Sequence, residues 1–117
     1  MRYAFLLYND ESISPAPGSP ELNERIAAYG AFTEEVQKSG AWQAGEALQN
    51  TGTATVVRAG ANGSPVTTDG PYAETKEQLV GFYILECVNL DEAVELAAKI
   101  PTASHGSVEV RPIWEVR

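Results

Sequence analysis

The chain opens with an apolar run, residues 2–8, that has the composition of a β-strand. Its alternate positions divide into two sets, Tyr3, Phe5 and Leu7 on one face and Ala4, Leu6 and Tyr8 on the other. Both sets are hydrophobic, and a strand that is apolar on both faces is typical of one covered on both sides. A loop rich in proline, glycine and serine follows this run.

Two helices are predicted from apolar residues spaced three or four positions apart. The first begins at the N-cap Ser19 and ends at Gly40. The second begins at Asn89, whose spacing to Glu92 indicates a capping box, and Pro101 ends it. The two apolar stripes are Leu22, Ile26, Tyr29, Phe32 and Val36, and Leu90, Ala93, Val94, Ala97 and Ile100.

Between the helices, residues 53–58 are rich in β-branched side chains and are predicted as a strand. The Asn62-Gly63 pair is a strong signal for a hairpin turn, so residues 66–68 are predicted as a short return strand. The segment before them, through Gly45 and Leu48, is predicted as a loop.

Residues 79–88 form the most strand-like stretch and are expected at the centre of the sheet. Gly81 within it indicates a bulge or a close approach of another backbone. The last predicted strand covers residues 107–115, where Pro112 indicates an edge position or a break in pairing.

The element order β-α-β-β-α-β predicts one α+β domain of ferredoxin-like type over residues 1–117. In this fold two helices cover one face of a four-stranded antiparallel sheet. The apolar second face of the strands then needs another cover, and the same face of a second copy, about 10 Å away, supplies it. We therefore expect a homodimer that packs sheet to sheet.

Composition excludes several classes of function. Eight basic and sixteen acidic residues give a net charge of −8, and the basic ones are scattered, so a nucleic-acid groove is not expected. The apolar runs fall short of a membrane span, and no signal peptide is predicted. A single cysteine, Cys87, and a single histidine, His105, cannot form a Cys/His zinc cage. We expect a cytoplasmic protein without a cofactor.

A dense polar segment, residues 69–78, carries the candidate chemistry. Its Asp69-Gly70-Pro71 start predicts a rigid turn. Asp69 either accepts backbone N–H bonds within that turn or points with Glu74 into a cleft. Glu74 and Lys76 are either a solvated surface pair or ligand contacts.

The lone His105 is the one side chain whose ordinary pKa lies near neutrality. It is either a surface residue or, beside a carboxylate, a general acid or base. In the enzyme hypothesis the cleft lies between sheet and helices, and Asp69 or His105 moves a proton. Tyr72, Glu74 and Lys76 would contact the substrate, and Arg111 would hold an anionic group. The sequence does not tell whether Asp69 and His105 meet.

The block Asp69-Gly70-Pro71-Tyr72-Ala73-Glu74-Thr75-Lys76-Glu77 resembles the YCII-related proteins of the DGPF subgroup. The resemblance extends to residues 2–8, 81–83, 91–93, 106 and 108–112, and Tyr72 stands where the subgroup's name has phenylalanine. It implies a dimeric α+β barrel. Some members of the wider group have been proposed as enzymes with a His–Asp pair, while the activity of the subgroup is largely unassigned.

Members of this subgroup are often encoded beside extracytoplasmic-function sigma factors, which implies a role near transcription. Three hypotheses therefore stand: an enzyme for a small organic substrate that uses no metal, a binding or sensory module without turnover, and an interaction partner of a sigma factor. The same fold hosts many functions and does not choose among them.

Overall fold

The computed structural model describes residues 1–116. Its strands and α-helices are β1 (Arg2–Asn9), α1 (Pro20–Lys38), β2 (Trp42–Ala47), β3 (Thr55–Ala59), β4 (Pro65–Asp69), β5 (Gln78–Glu86), α2 (Leu90–Lys99) and β6 (Ser107–Pro112). Four strands form one antiparallel sheet in the order β2-β5-β1-β6, and β3 pairs with β4 in a separate ribbon. The predicted ferredoxin-like α+β fold is confirmed.

The second strand of the main sheet lies where the sequence predicts a loop. Residues 42–47 pair with β5, whereas the predicted strand at residues 53–58 belongs to the ribbon, which we call the arm (residues 55–69). The prediction was wrong because the edge strand β2 consists largely of residues with low β propensity. Gly45 is essential there, since a Cβ on it would lie 2.8 Å from Cδ1 of Tyr83.

Both helices are capped as predicted and pack on the same face of the sheet. The side chain of Ser19 accepts the N–H of Leu22, and that of Asn89 accepts the N–H of Glu92. The core between helices and sheet consists of Tyr3, Phe5, Leu7, Phe32, Val36, Tyr83, Leu85, Cys87, Ala93, Ala97 and Ile100. The predicted stripes are too wide, because Leu90 and Val94 are exposed and Ile26 is 59% exposed.

β5 lies inside the sheet and β6 lies at its edge, as the sequence indicates. The register between β1 and β5 shifts after Leu7, so Val80 bulges next to Gly81. A Cβ on Gly81 would lie 3.0 Å from the carbonyl oxygen of Glu46. Both readings of Gly81, a bulge nearby and a close backbone approach, are therefore confirmed.

The second face of the sheet, which we call the open face, bears no helix within residues 1–116. It presents the alternate apolar side chains of the two inner strands, each partly exposed: Ala4, Leu6, Leu79, Phe82 and Ile84. Along the β6 edge it becomes polar, with Glu109 and Arg111 paired to each other. The sheet-to-sheet homodimer remains a prediction.

No helix in the described residues combines the length and apolar character that a membrane-spanning helix needs.

Candidate functional site

Three loops meet at the end of the sheet where β1 ends and β5 and β6 begin. The side chain of Gln78 accepts the N–H of Glu11 at 3.0 Å. The carboxylate of Glu11 in turn accepts both the N–H and the hydroxyl of Thr51, at 3.2 and 2.6 Å. The chain after β1, the turn before the arm and the polar segment before β5 are thereby tied into one surface, which we call the loop end.

His105 lies at this loop end, directly after a 3₁₀ turn (Pro101–Ser104). Its N–H donates to the carbonyl of Thr102 at 3.2 Å, which fixes the backbone that carries the imidazole. The ring is half-buried and lines a niche of about 20 Å³ together with Asn9, Asp10, Ile13, Ser14 and Arg25. Such a volume admits a group about the size of a water molecule.

Two polar atoms of the niche are buried, Nε2 of His105 and Oδ1 of Asn9. Neither atom has a hydrogen-bond partner among the described residues. Buried polar atoms without partners are rare in folded proteins, and each calls for an explanation such as a catalytic role or a bound water or ion.

Electrostatics keep the imidazole neutral and the neighbouring carboxylate charged. Burial lowers the pKa of His105, Arg25 lowers it further, and Glu21 acts in the opposite direction. The pKa of Asp10 is lowered by hydrogen bonds from the hydroxyl and the N–H of Ser12, at 2.6 and 3.0 Å. At neutral pH the site therefore contains a proton acceptor beside an ionised carboxylate.

An open cleft, the His105 cleft, extends from the niche to the polar segment; its lining is Tyr8, Asp10, Ile13, Thr75, Lys76, Glu77 and His105. Tyr8 donates to Glu109 at 3.3 Å, and Glu77 accepts the hydroxyl of Ser107 at 2.8 Å. Lys76 has no ion-pair partner within 4 Å among residues 1–116. Its ammonium group helps to lower the pKa of Asp10 without a direct ion pair, and so it can also meet an anionic ligand.

A second cleft, the arm cleft, continues from this one over the open face. It has a volume of about 640 Å³ and shares Tyr8, Thr75 and Glu77 with the His105 cleft. Its other lining residues carry no charge, and Leu48, Pro71, Tyr72 and Leu79 give it an apolar side. The polar cleft therefore has an apolar neighbour large enough for the body of a small molecule.

A third space, the helix cavity, lies on the opposite face of the sheet between α1, β2 and β5, with a volume of about 470 Å³. None of the six predicted site residues lines it. The enzyme hypothesis places its cleft between sheet and helices. The helix cavity occupies that position, but neither Asp69 nor His105 lines it.

Two predicted site residues, His105 and Lys76, line the same cleft. Tyr72 lines the adjoining arm cleft and is 74% exposed, with the guanidinium of Arg58 5.3 Å from its ring centroid.

The other three predicted site residues line neither the His105 cleft nor the arm cleft. Asp69 ends β4 opposite Thr55 in the arm, Glu74 is exposed in the loop, and Arg111 pairs with Glu109 on the open face. The turn at Asp69 has the predicted form, because Gly70 has a φ of +95°.

Asp10 is the carboxylate that shares the niche and the cleft with His105, and sequence reasoning missed it. The available signal was its place directly after β1, an inner strand of the sheet, followed by Ser12 in the spacing of an Asx turn. Within residues 1–116, no group of three or more His, Cys, Asp or Glu side chains is arranged to hold a metal ion.

A family model for the YCII-related domain matches residues 1–117. The chain is also similar to the uncharacterized protein R00369 of Rhizobium meliloti (strain 1021). The two are 42% identical over 116 residues, which cover 97% of this chain and 92% of the relative.

Proposed function

Since the chain belongs to the YCII-related family, we propose that it binds a small organic anion and that the neutral imidazole of His105 accepts a proton from it without a metal ion. One observation carries the proposal: a half-buried imidazole and an ammonium group with no ion-pair partner in the described chain line the same cleft. The arm cleft beside them offers room for an apolar body.

The proposed chemistry begins with a carboxylate of the ligand at Lys76. A ligand C–H or O–H proton then passes to a ring nitrogen of His105, and the electron pair of the broken bond stays on the ligand. Glu21 favours the imidazolium that forms, and the ionised Asp10 lines the same niche. Because Ser12 holds the carboxylate of Asp10, this residue is not assigned the role of a second proton carrier.

Binding is testable by NMR because the chain has a single histidine, whose Cε1–H gives one signal. As a probe we choose 2-oxobutyrate, which combines a carboxylate with acidic C3 protons. We expect a saturable shift of the His105 signal that Lys76→Gln abolishes. Lys99→Gln is the matched control, since that lysine pairs with Glu35 away from the loop end.

Proton transfer is tested by hydrogen–deuterium exchange at C3 of 2-oxobutyrate in D₂O. We expect the protein to accelerate exchange over buffer and His105→Gln to remove the acceleration. If exchange runs at the buffer rate while the His105 signal shifts saturably, the protein binds the probe but does not transfer its proton. No saturable signal, or equal loss in Lys76→Gln and Lys99→Gln, would overturn the proposal for this cleft.

We further propose that two copies pack through their open faces. The partly exposed apolar strip on β1 and β5 supports this, because a soluble monomer seldom leaves such a strip uncovered. Leu6→Glu should convert a dimer to a monomer in light scattering. Val88→Glu, at a side chain that is already exposed beside α2, should leave the dimer intact. A monomeric wild type at micromolar concentration would refute this arrangement.

A further inference from the structure

One stripe of α1 borders the helix cavity, and its members Ile26 and Gly30 are exposed to solvent. Ile26, Tyr29, Gly30 and Thr33 are spaced i, i+3, i+4 and i+7, and all line it. The stripe is interrupted at Gly30, where a Cβ would meet no atom within 4 Å. Because Gly30 is exposed, the missing side chain leaves the cavity open to solvent at this point.

The walls of the cavity are aromatic. Trp42 and Tyr83 meet edge to face with ring centroids 6.1 Å apart, and Tyr29 stands on the helix side. Gly45 permits this arrangement, since a Cβ there would lie 2.8 Å from Tyr83 and 2.9 Å from Trp42. Flat ring surfaces of this kind favour a planar aromatic guest.

The charges that line the helix cavity favour an uncharged guest. Glu46 is the one charged side chain among the described residues that line the cavity, and the chain as a whole carries a net charge of −8. No described lysine or arginine lines the cavity to pair with an anionic guest, and no described carboxylate is buried there to pair with a cation.

Polar anchors lie at two places in the cavity. Asn9 lines it and carries the buried Oδ1 that has no hydrogen-bond partner among the described residues. Across from it, the hydroxyls of Thr33 and Tyr83 lie 3.3 Å apart, and their mutual bond uses only one of the two O–H groups. A guest could thus donate to Asn9 and accept from this pair.

We propose that the helix cavity is a second binding site, for an uncharged planar aromatic molecule with one N–H or O–H that donates to Oδ1 of Asn9. The site is separate from the proposed proton-transfer site. The two sites share one lining residue, Asn9, which also lines the niche. The inference therefore does not depend on the chemistry of His105.

The probe for this site is N-phenyl-1-naphthylamine, an uncharged arylamine whose fluorescence rises in apolar surroundings. We expect one molecule to bind per chain. Gly30→Leu should weaken binding at least tenfold because its side chain enters the cavity, while leucine also suits a helix better than glycine. Ala31→Leu is the matched control: it is the next, exposed residue of α1 and lies outside the cavity lining.

The hydrogen bond is tested with the N-methylated probe, which lacks the donor. Wild type should prefer the parent probe about three- to tenfold, the range of one neutral hydrogen bond. Asn9→Ala should remove this preference, whereas His105→Gln should keep it. Absent binding, equal effects of Gly30→Leu and Ala31→Leu, or a preference that survives Asn9→Ala would each overturn the proposal.

Discussion

Gly106 connects His105 to β6 at the point where the chain passes the last residues of β1. A Cβ on this glycine would lie 2.1 Å from the carbonyl oxygen of Tyr8 and 3.0 Å from Cβ of Asn9. Non-bonded heavy atoms are most favourable at about 3.5 Å, so Gly106→Ala forces the two backbones apart by roughly 1 Å. The oxygen belongs to the backbone of β1 and cannot rotate out of the way.

The expected cost lies at the upper end of overpacking effects. Inserting a methyl group into a packed region costs about 1–3 kcal/mol, and a backbone neighbour places this substitution near 3 kcal/mol. The same shift strains the hydrogen bond from the N–H of Gly106 to the carbonyl of Thr102, now 2.7 Å long. For a domain of this size we expect Tm to fall by about 10–15 °C.

Urea unfolding followed by tryptophan fluorescence measures this cost. Gly30→Ala is the control, because its Cβ meets nothing within 4 Å and alanine is the better helix former by about 1 kcal/mol. Gly106→Ala should also move the NMR signal of His105. A Gly106→Ala midpoint that corresponds to less than about 0.5 kcal/mol of destabilisation would refute the steric reasoning.

Three further predictions concern buried polar groups. Tyr29→Phe should destabilise the fold by about 1–2 kcal/mol in urea unfolding, because the hydroxyl of Thr102, which is 0% exposed, loses its hydrogen-bond partner. The lowered pKa of His105 means that the unfolded chain binds more protons, so the stability that this residue contributes at pH 8 should be lost as pH falls below its ordinary value of 6.5. Comparing urea midpoints at pH 8 and 5.5 for wild type and His105→Gln measures this loss. Burial raises the pKa of the Cys87 thiol, so Ellman's reagent should react slowly with the native protein and rapidly in 6 M urea.

A different result would contradict each of these three predictions. Tyr72→Phe removes an exposed hydroxyl and should stay within about 0.5 kcal/mol of wild type, so an equal loss for Tyr29→Phe would exclude the hydrogen-bond explanation. An identical pH dependence of wild type and His105→Gln would exclude a lowered histidine pKa. Rapid labelling of native Cys87 would contradict its burial.

The pattern of apolar positions predicts the elements that face the core. β1, β5, β6 and both helices follow from spacing and capping, because each buries a stripe that its sequence displays. The apolar pattern does not predict β2, because an edge strand needs little more than backbone pairing. The arm has the stronger strand signal, in Val56 and Val57, yet it pairs only with itself in the described chain. Propensity thus indicates that a strand forms but not which sheet it joins.

The candidate site is harder to predict from the sequence than the core elements, because it depends on which loops meet in the folded chain. His105 and Lys76 are singled out by chemistry alone, but the carboxylate beside the histidine depends on where β1 ends. Asp69 was the other candidate proton carrier, and its segment closes the arm, where the N–H of Gly70 donates to the carbonyl of Ala54 at 2.7 Å. The roles proposed for Asp69, Glu74, Tyr72 and Arg111, the DGPF subgroup and the link to a sigma factor remain predictions.

The arm has a practical consequence for handling the protein. Its tip, the turn around Asn62 and Gly63, is exposed, and the hydrogen bonds there run within the tip itself, from Gly63 to Gly60, from Gly60 to Ser64 and from Ser64 to Asn62. Exposed tips of this kind tolerate added residues. A peptide epitope or a dye-labelled cysteine inserted between Asn62 and Gly63 would therefore extend the chain there while leaving the loop end and the helix cavity intact.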